Sequence, residues 1–455
     1  MGDLPNVTDV DIPDLLRSIL GKQVDAAGSL ADFGESLFEK YASIGRLRFG
    51  SHPSSLSFPT QAIDWYDLGF TCPDQSIRLS RTLDYAAGDF YLQDAGSMLA
   101  LAACNADRSL AETERSPLVC DLCAAPGGKA SALLENIGSG FLVANEPIRS
   151  RIAPLAFNLA RTGSNRYAIS SMDPEQLADL LGGVFDIVVV DAPCSGQALL
   201  GRGKQTLASI TLPQIEHSAA RAQRILAAAV KLLRPGGRLV FSTCTFAELE
   251  NEAQVRWLID QFPIRPLPLD RLQSYCSVDG SNCTYRLWPH QHQCAGSFAA
   301  SLSSEATTPA DGSYREPKKK RKDKSKTDVE FPDAIRSVVC EDEVRTHASD
   351  VVLWGWPIDA PAWVESIATC GPELAYRTGR TWKPSHQLAR RRDLQFTDVV
   401  DVDDECAKTY LSGQPIPCDK NGWRVVRHQN RGLGWVKASG GIGKNHLPST
   451  ARLPS

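Results

Sequence analysis

The chain has no run of about 18 apolar residues anywhere in its 455 positions, which removes the usual sign of a transmembrane helix. Its first ten residues, Met1 to Val10, are acidic and lack the basic, apolar, small-residue order of a secretory leader. Cysteine pairs with metal-ligand spacing do not recur along the chain, and no metal is expected. The 13 cysteines are odd in number and scattered, not gathered into a short disulfide framework, so a reducing, cytoplasmic setting fits. A net charge of −4 denies the protein a uniformly basic surface, and any nucleic-acid contact must rest on local patches. No internal repeat is visible, and no contact with a membrane is expected.

What is present points to several folded units. A single core stops growing near ~250–300 residues, so two or three domains are expected. Residues 1–85 combine helical patterns, Ile12 to Leu20 and Leu30 to Tyr41, with short extended pieces such as Leu47 to Gly50, and read as a small α+β unit. From Leu118 strands alternate with helices, the pattern of a parallel sheet with crossover helices. The strands expected are Leu118–Leu122, Phe141–Asn145, Tyr167–Ser170, Phe185–Val190 and Arg238–Thr243. A long helix runs from Pro213 to Leu233 and stops at Arg234-Pro235-Gly236-Gly237. Thr284–Trp288 and Ser297–Leu302 would close the sheet as an antiparallel edge pair. Residues 303–334 form a basic linker containing Pro317-Lys318-Lys319-Lys320-Arg321-Lys322. Residues 335–455, with six of the nine tryptophans and many turn signals, read as a mostly β domain whose tryptophans belong to its core.

The chemistry concentrates at strand ends. Asp121-Leu122-Cys123-Ala124-Ala125-Pro126-Gly127-Gly128-Lys129 follows the first sheet strand and opens a helix, so its glycines permit close backbone approach and the helix start presents free N–H groups. Glu146 ends the next strand, where a carboxylate can accept hydrogen bonds from both ribose hydroxyls of a nucleoside. Asp173, past the third, is placed for an adenine amino group, or else caps the helix that Pro174 begins. Together the three positions favour an adenosine-containing ligand.

Two cysteines end successive strands, in Asp191-Ala192-Pro193-Cys194-Ser195-Gly196 and Ser242-Thr243-Cys244-Thr245, and both should open onto one crevice. Taken singly each could be a small buried hydrophobe. As a pair they suit covalent catalysis on a pyrimidine. A thiolate adds at carbon-6 of cytosine, carbon-5 becomes nucleophilic, and a base or second thiol then assists release. Lys129 is a candidate source of the positive field that favours the thiolate.

On these residues the chain resembles the Sun-type RNA (cytosine-5) methyltransferases. The likeness rests on Ala-Pro-Gly-Gly-Lys at 125–129, Asp-Ala-Pro-Cys-Ser-Gly at 191–196 and Ser-Thr-Cys-Thr at 242–245, with Phe90-Tyr91-Leu92-Gln93-Asp94 and Arg286-Leu287-Trp288-Pro289-His290 in support. It implies an α/β, Rossmann-like class I methyltransferase domain over 86–302, using S-adenosyl-L-methionine as methyl donor. It further implies Cys244 as nucleophile, Cys194 as the thiol that assists release, and cofactor contacts from Cys123, Ala124, Ala125, Pro126, Gly127, Gly128, Lys129, Glu146, Asp173 and Asp191. Asp191 is alternatively a contact to the cytosine amino group. In the separate DNA cytosine methyltransferases the nucleophile follows strand four, which would exchange the two cysteines.

Gly432-Leu433-Gly434-Trp435-Val436-Lys437 and Lys444-Asn445-His446-Leu447-Pro448 are similar to the bacterial branch acting on small-subunit ribosomal RNA, whose C-terminal domain is PUA-like. The resemblance therefore implies 16S rRNA as partner, RNA-binding roles for residues 1–85 and 335–455, and a monomer. Two stretches depart from the family pattern, Arg46 to Ser51 and Gly296-Ser297-Phe298, and both bear on RNA docking.

Overall fold

A computed structural model describes residues 12–42, 44–110, 116–307, 335, 338–339 and 343–453. The lysine run at 318–326 lies outside the described residues.

The N-terminal helices Ile12–Leu20 and Leu30–Ser36 precede a four-stranded antiparallel sheet of β1 (Ile44–Leu47), β2 (Gln61–Ile63), β3 (Tyr66–Thr71) and β4 (Phe90–Leu92), in the order β2-β3-β1-β4. Since β4 pairs with β1, this sheet extends past residue 85, and Tyr91 and Leu92 of the same strand line a cavity at the central sheet. The helices bury Leu16, Leu20 and Phe33 against Phe246 and Trp288, so they brace the loop that follows the strand carrying Cys244. Arg46 is not an RNA-facing residue. It is 1 % exposed and donates from Nη1 to Glu135 Oε2 at 2.6 Å and from Nη2 to Ser131 Oγ at 3.1 Å, fastening β1 to the helix Gly128–Asn136.

The central sheet is eight-stranded: β5 (Leu118–Asp121), β6 (Phe141–Asn145), β7 (Tyr167–Ser170), β8 (Phe185–Asp191), β9 (Leu233–Thr243), β10 (Ile264–Pro266), β11 (Thr284–Leu287) and β12 (Ser297–Ser304). Its path is β10-β12-β9-β8-β5-β6-β7, with β11 also paired to β12. β5 to β9 are mutually parallel, and fully buried runs such as Phe-Leu-Val-Ala-Asn in β6 show apolar packing on both faces. The expected edge pair is antiparallel as read, but β12 is interior. Ile264–Pro266 pairs with its far end, a strand too short to leave a period in the sequence. The long helix spans Leu212–Leu232, and Arg234 to Gly237 already belong to β9, which begins with a register shift against Phe185.

The C-terminal residues form two sheets, which share a core through Leu353, Leu374, Val425 and Trp435. β13 (Val344–Ala348), β14 (Val352–Pro357), β15 (Glu373–Thr378) and β16 (Thr381–Pro384) make an antiparallel meander. β17 (Val399–Asp401), β18 (Ile416–Pro417), β19 (Gly422–His428), β20 (Arg431–Ser439) and β21 (Ile442–Asn445) make the second sheet, in the order β17-β19-β20-β21-β18. The meander is welded to the central sheet. Trp356 Nε1 donates to Tyr167 O at 2.8 Å, and Trp363 meets Phe141 and Phe185 edge-on. Ile169 of β7 exchanges backbone hydrogen bonds with Thr369 and Cys370, so the edge strand is covered. Trp356, Trp363 and Trp435 are buried, in keeping with a core role for these aromatics. Among the described residues no helix is long and apolar enough to cross a membrane.

Candidate active site

Three of the carboxyl ends of the parallel strands, those of β5, β8 and β9, open on one cavity of about 330 Å³. The turn after β5 supplies Cys123, Ala124, Ala125, Pro126, Gly128 and Lys129 to its wall. Gly127 has φ +109°, a left-handed conformation that an L side chain would strain, and it starts the helix Gly128–Asn136. A Cβ on Gly128 would come within 3.2 Å of the Tyr91 ring, so the turn needs its small residues to keep the cavity open.

Asp191 ends β8 and Cys194 follows it, and Cys244 follows β9. Lys129 Nζ lies 2.8 Å from Asp191 Oδ2, and Ser242 Oγ donates to Asp191 Oδ1 at 2.9 Å, so the turn and both strand ends are tied together. Burial pulls the Lys129 ammonium down, but Asp191 and then Asp121 more than offset this and hold it above its ordinary value. The cation is therefore fixed beside the Cys244 thiol.

The two sulfurs are 3.4 Å apart. The Cys194 thiol is raised well above its ordinary value, first by its hydrogen bond with Cys244 and then by burial. Cys194 thus keeps its proton and can direct it at Cys244 Sγ, while the Cys244 N–H points back at Cys194 Sγ over 3.4 Å. Of the two residues, Cys244 lines the cavity and Cys194 stands behind it.

A buried polar lattice holds both cysteine loops. Glu250 accepts from Ser195 N at 2.8 Å and from Ser195 Oγ at 2.5 Å, and Ser195 Oγ meets Thr245 Oγ1 at 2.8 Å. Ala198 N donates to Cys244 O at 3.1 Å, and Gln197 Oε1 accepts from Phe246 N at 2.8 Å. Below them Arg286 binds Glu252 through two bonds of 2.6 Å and donates to Phe246 O at 2.9 Å. The arginine of the Arg-Leu-Trp-Pro-His stretch is thus a buried brace for the loop that holds Cys244.

Asp121 opens the glycine-turn motif, but nothing in its sequence context assigns it a role of its own. It is 1 % exposed, lines the cavity, and neither carboxylate oxygen has a hydrogen-bond partner beyond a weak contact from the Cys123 N–H. Burial first, and then the nearby Asp191, push its carboxyl up to about 7. Its place as the last residue of a buried strand was the available signal. Asp94 and Arg202, an ion pair at the opposite wall, were also passed over, although Asp94 stands inside the matched Phe90 to Asp94 stretch.

Besides Gly127 within the turn and Cys194 behind Cys244, two expected residues, Asp173 and Glu146, do not line the cavity. Asp173 caps the helix Pro174–Leu181 by accepting from Glu175 N at 3.0 Å and pairs with Arg224 at 2.8 Å. The helix start and a neighbouring cation claim that carboxylate, the alternative that Pro174 already suggested. Glu146 is buried at the end of β6. It accepts from Ile148 N at 2.9 Å and lies 3.1 Å from Arg151, which does reach the cavity. Cys120 and Cys123 stand at Cys-x-x-Cys spacing, but Cys120 is packed in the core while Cys123 faces the cavity. Among the described residues no three His, Cys, Asp or Glu side chains are grouped to hold a metal.

Comparison with known proteins agrees with this architecture. The model of a family described as 16S rRNA methyltransferase RsmB/F matches residues 109–303, and one described as methyltransferase RsmF PUA domain matches residues 397–453. The PUA assignment thus falls on the second C-terminal sheet and leaves the meander outside it. The ribosomal RNA small subunit methyltransferase F of Aeromonas salmonicida is 28 % identical over 418 residues, covering 86 % of this chain and 85 % of that one. Its counterpart in Shewanella sp. strain MR-4 is 29 % identical over 419 residues, covering 85 % and 84 %. Among solved structures, a methyltransferase homologue from Pyrococcus horikoshii superposes with TM-score 0.53 at 24 % identity, over 64 % of this chain and 93 % of that one. NSun6 from the same organism gives TM-score 0.55 at 19 % identity, over 65 % and 98 %, and both likenesses establish the fold. Residues 109–303 thus carry a domain that matches the 16S rRNA methyltransferase RsmB/F family, followed at 397–453 by one that matches the RsmF PUA domain.

Proposed function

We propose that the protein is an S-adenosyl-L-methionine-dependent RNA (cytosine-5) methyltransferase acting on 16S ribosomal RNA, with Cys244 as nucleophile and Cys194 as the thiol that assists release. The observation that carries this is the pair of thiols 3.4 Å apart at adjacent strand ends, with Cys244 on the cavity that the Cys123 to Lys129 turn also lines. The same observation favours Cys244 over Cys194 as nucleophile.

The residues fit the proposed methyl donor. Asp121 offers a buried carboxylate, contacted only weakly by the Cys123 N–H, to a cationic or N–H donor group, and the Gly127-Gly128 turn allows close approach to free helix N–H groups. Glu146, with Arg151 beside it, is suited to ribose hydroxyls, and Asp173 would contact the base by exchanging its bond to Arg224. When bound, the donor supplies a methyl group activated by a sulfonium.

The Cys244 thiolate adds to carbon-6 of cytosine, forming the carbon–sulfur bond and moving the ring electron pair toward carbon-5, where the methyl group is accepted. Lys129 and Asp191 stand where they can orient the ring nitrogen and amino group. Once Cys244 Sγ is bonded to carbon, Cys194 loses the acceptor of its hydrogen bond. Cys194 can then give up its proton to solvent, and its thiolate takes the carbon-5 proton as the electrons of that C–H bond restore the carbon-5–carbon-6 double bond and Cys244 leaves as a thiolate. Cys244→Ala is expected to bind the donor and to transfer no methyl group. Cys194→Ala is expected to accumulate a covalent enzyme–RNA species on a denaturing gel. Adduct from Cys244→Ala with normal turnover of Cys194→Ala would reverse the roles, and bisulfite sequencing of ribosomal and transfer RNA from a deletion strain identifies the substrate.

A further inference from the structure

A second cavity, of about 540 Å³, opens where the second C-terminal sheet and the segment 390–396 meet Ala87, and arginine dominates its lining. Arg390, Arg391 and Arg392 follow the helical turn His386–Ala389, and Arg427 and Arg431 come from the hairpin of β19 and β20. Arg48 and Arg161 add positive charge immediately behind Arg390. Four carboxylates answer these seven cations: Asp393 on Arg391, Asp401 on Arg427, Asp89 on Arg392 and Arg431, and Asp84 at 3.9 Å from Arg431. Glu135, which also acts on Arg48, is bonded to Arg46. Three positive charges are left over, in a chain whose net charge is −4.

Burial, and then Arg161, Arg392 and Arg48, pull Arg390 well below its ordinary value, so the cluster is electrostatically strained as it stands. It also holds unused donors. Arg391, whose side chain is 5 % exposed, has a buried Nη1 with no hydrogen-bond partner, and Arg431 Nε and Arg48 Nη1 are in the same condition. Buried donors left unpaired are costly, and an anion bearing several acceptor oxygens would satisfy those of Arg391 and Arg431, which line the cleft.

We infer that this arginine cleft is a binding site for the phosphodiester backbone of single-stranded RNA, a second grip on the substrate outside the catalytic cavity. Position supports a nucleic acid over a free anion. Ala87 lines the cleft and Tyr91, four residues on, lines the catalytic cavity, so an extended chain separates the two by at most about 14 Å. One strand of RNA can reach both. The inference rests on the RNA-substrate reading above.

The test is equilibrium binding of a single-stranded oligocytidylate to the full chain across a salt series. Arg391→Gln with Arg427→Gln removes two cations whose side-chain bonds go only to Asp393 and Asp401, so little of the fold depends on them. The slope of log K against log salt should fall by about 1.4, and affinity by roughly tenfold at physiological salt, as expected for two lost phosphate contacts. Arg391→Lys with Arg427→Lys should retain the slope, which a merely structural arginine would not allow. An unchanged slope in the glutamine variant, its thermal midpoint intact, overturns the inference. So does inorganic phosphate raising the wild-type midpoint alone while the RNA slope stays the same, since that describes a free-anion site. Binding requires no methyl transfer, so an enzyme that shows the slope change but leaves cytosine unmodified sinks the catalytic reading and spares the cleft.

Discussion

Replacing Asp121 by asparagine should make the protein more stable and less able to bind its donor, and the size of the gain should depend on pH. The carboxyl is ordinarily near 3.8 and is pushed to about 7 in the fold. The folded value lies above the unfolded one, so the unfolded chain releases this proton first. The contribution is fully favourable below about pH 4 and is lost as the pH rises toward 7. The folded state then carries a penalty of about 1.5 kcal/mol at pH 5 that grows to about 4 kcal/mol at pH 8. The asparagine amide cannot ionise, so Asp121→Asn should gain about 2.5 kcal/mol relative to wild type between pH 5 and pH 8. For a domain of this size that is roughly 5–10 °C in the thermal midpoint. Calorimetric scans of both proteins at the two pH values measure it, and titration with S-adenosyl-L-methionine should show weakened binding by the variant. A midpoint difference that does not widen with pH would refute the reasoning, because it would mean that the buried carboxylate is already compensated within the protein.

Glu252→Gln should be strongly destabilising, by about 3–5 kcal/mol, because Arg286 and Glu252 are both essentially buried and the cation would lose its counter-charge. Urea denaturation followed by tryptophan fluorescence reads the loss, and Cys244 reactivity toward a thiol reagent should rise with it as the Phe246 loop loosens. Trp356→Phe removes the bond to Tyr167 O and should cost about 1–3 kcal/mol, with faster hydrogen exchange confined to β7 and β14.

Much of the site was legible because strand-end motifs report topology directly. Once β5, β8 and β9 were recognised as parallel neighbours, the cysteines after β8 and β9 had to converge, and they do. Residues that act through distant partners were harder to read. Arg46, Glu250 and Arg286 are polar in sequence, and nothing local marks them as buried. Their partners lie 89, 55 and 34 positions away. Asp173 illustrates a different limit, since helix capping and ligand binding ask for the same residue before Pro174. Tryptophan and turn signals are alike in both sheets of residues 335–455, so the division into two sheets was not legible. Only the docking of Trp356 and Trp363 on the central sheet separates the meander from the PUA-like strands.

The cover over β7 also bears on how the protein is made. Ile169 leaves the ribosome about 200 residues before Cys370, the residue that will pair with it. At typical synthesis rates of about 5–20 residues per second, the nascent methyltransferase sheet presents a bare, hydrogen-bond-hungry rim and an empty tryptophan socket for roughly 10–40 s. A chain truncated before the meander would keep that rim indefinitely, and would be prone to stack rim to rim with its neighbours although every catalytic residue were intact.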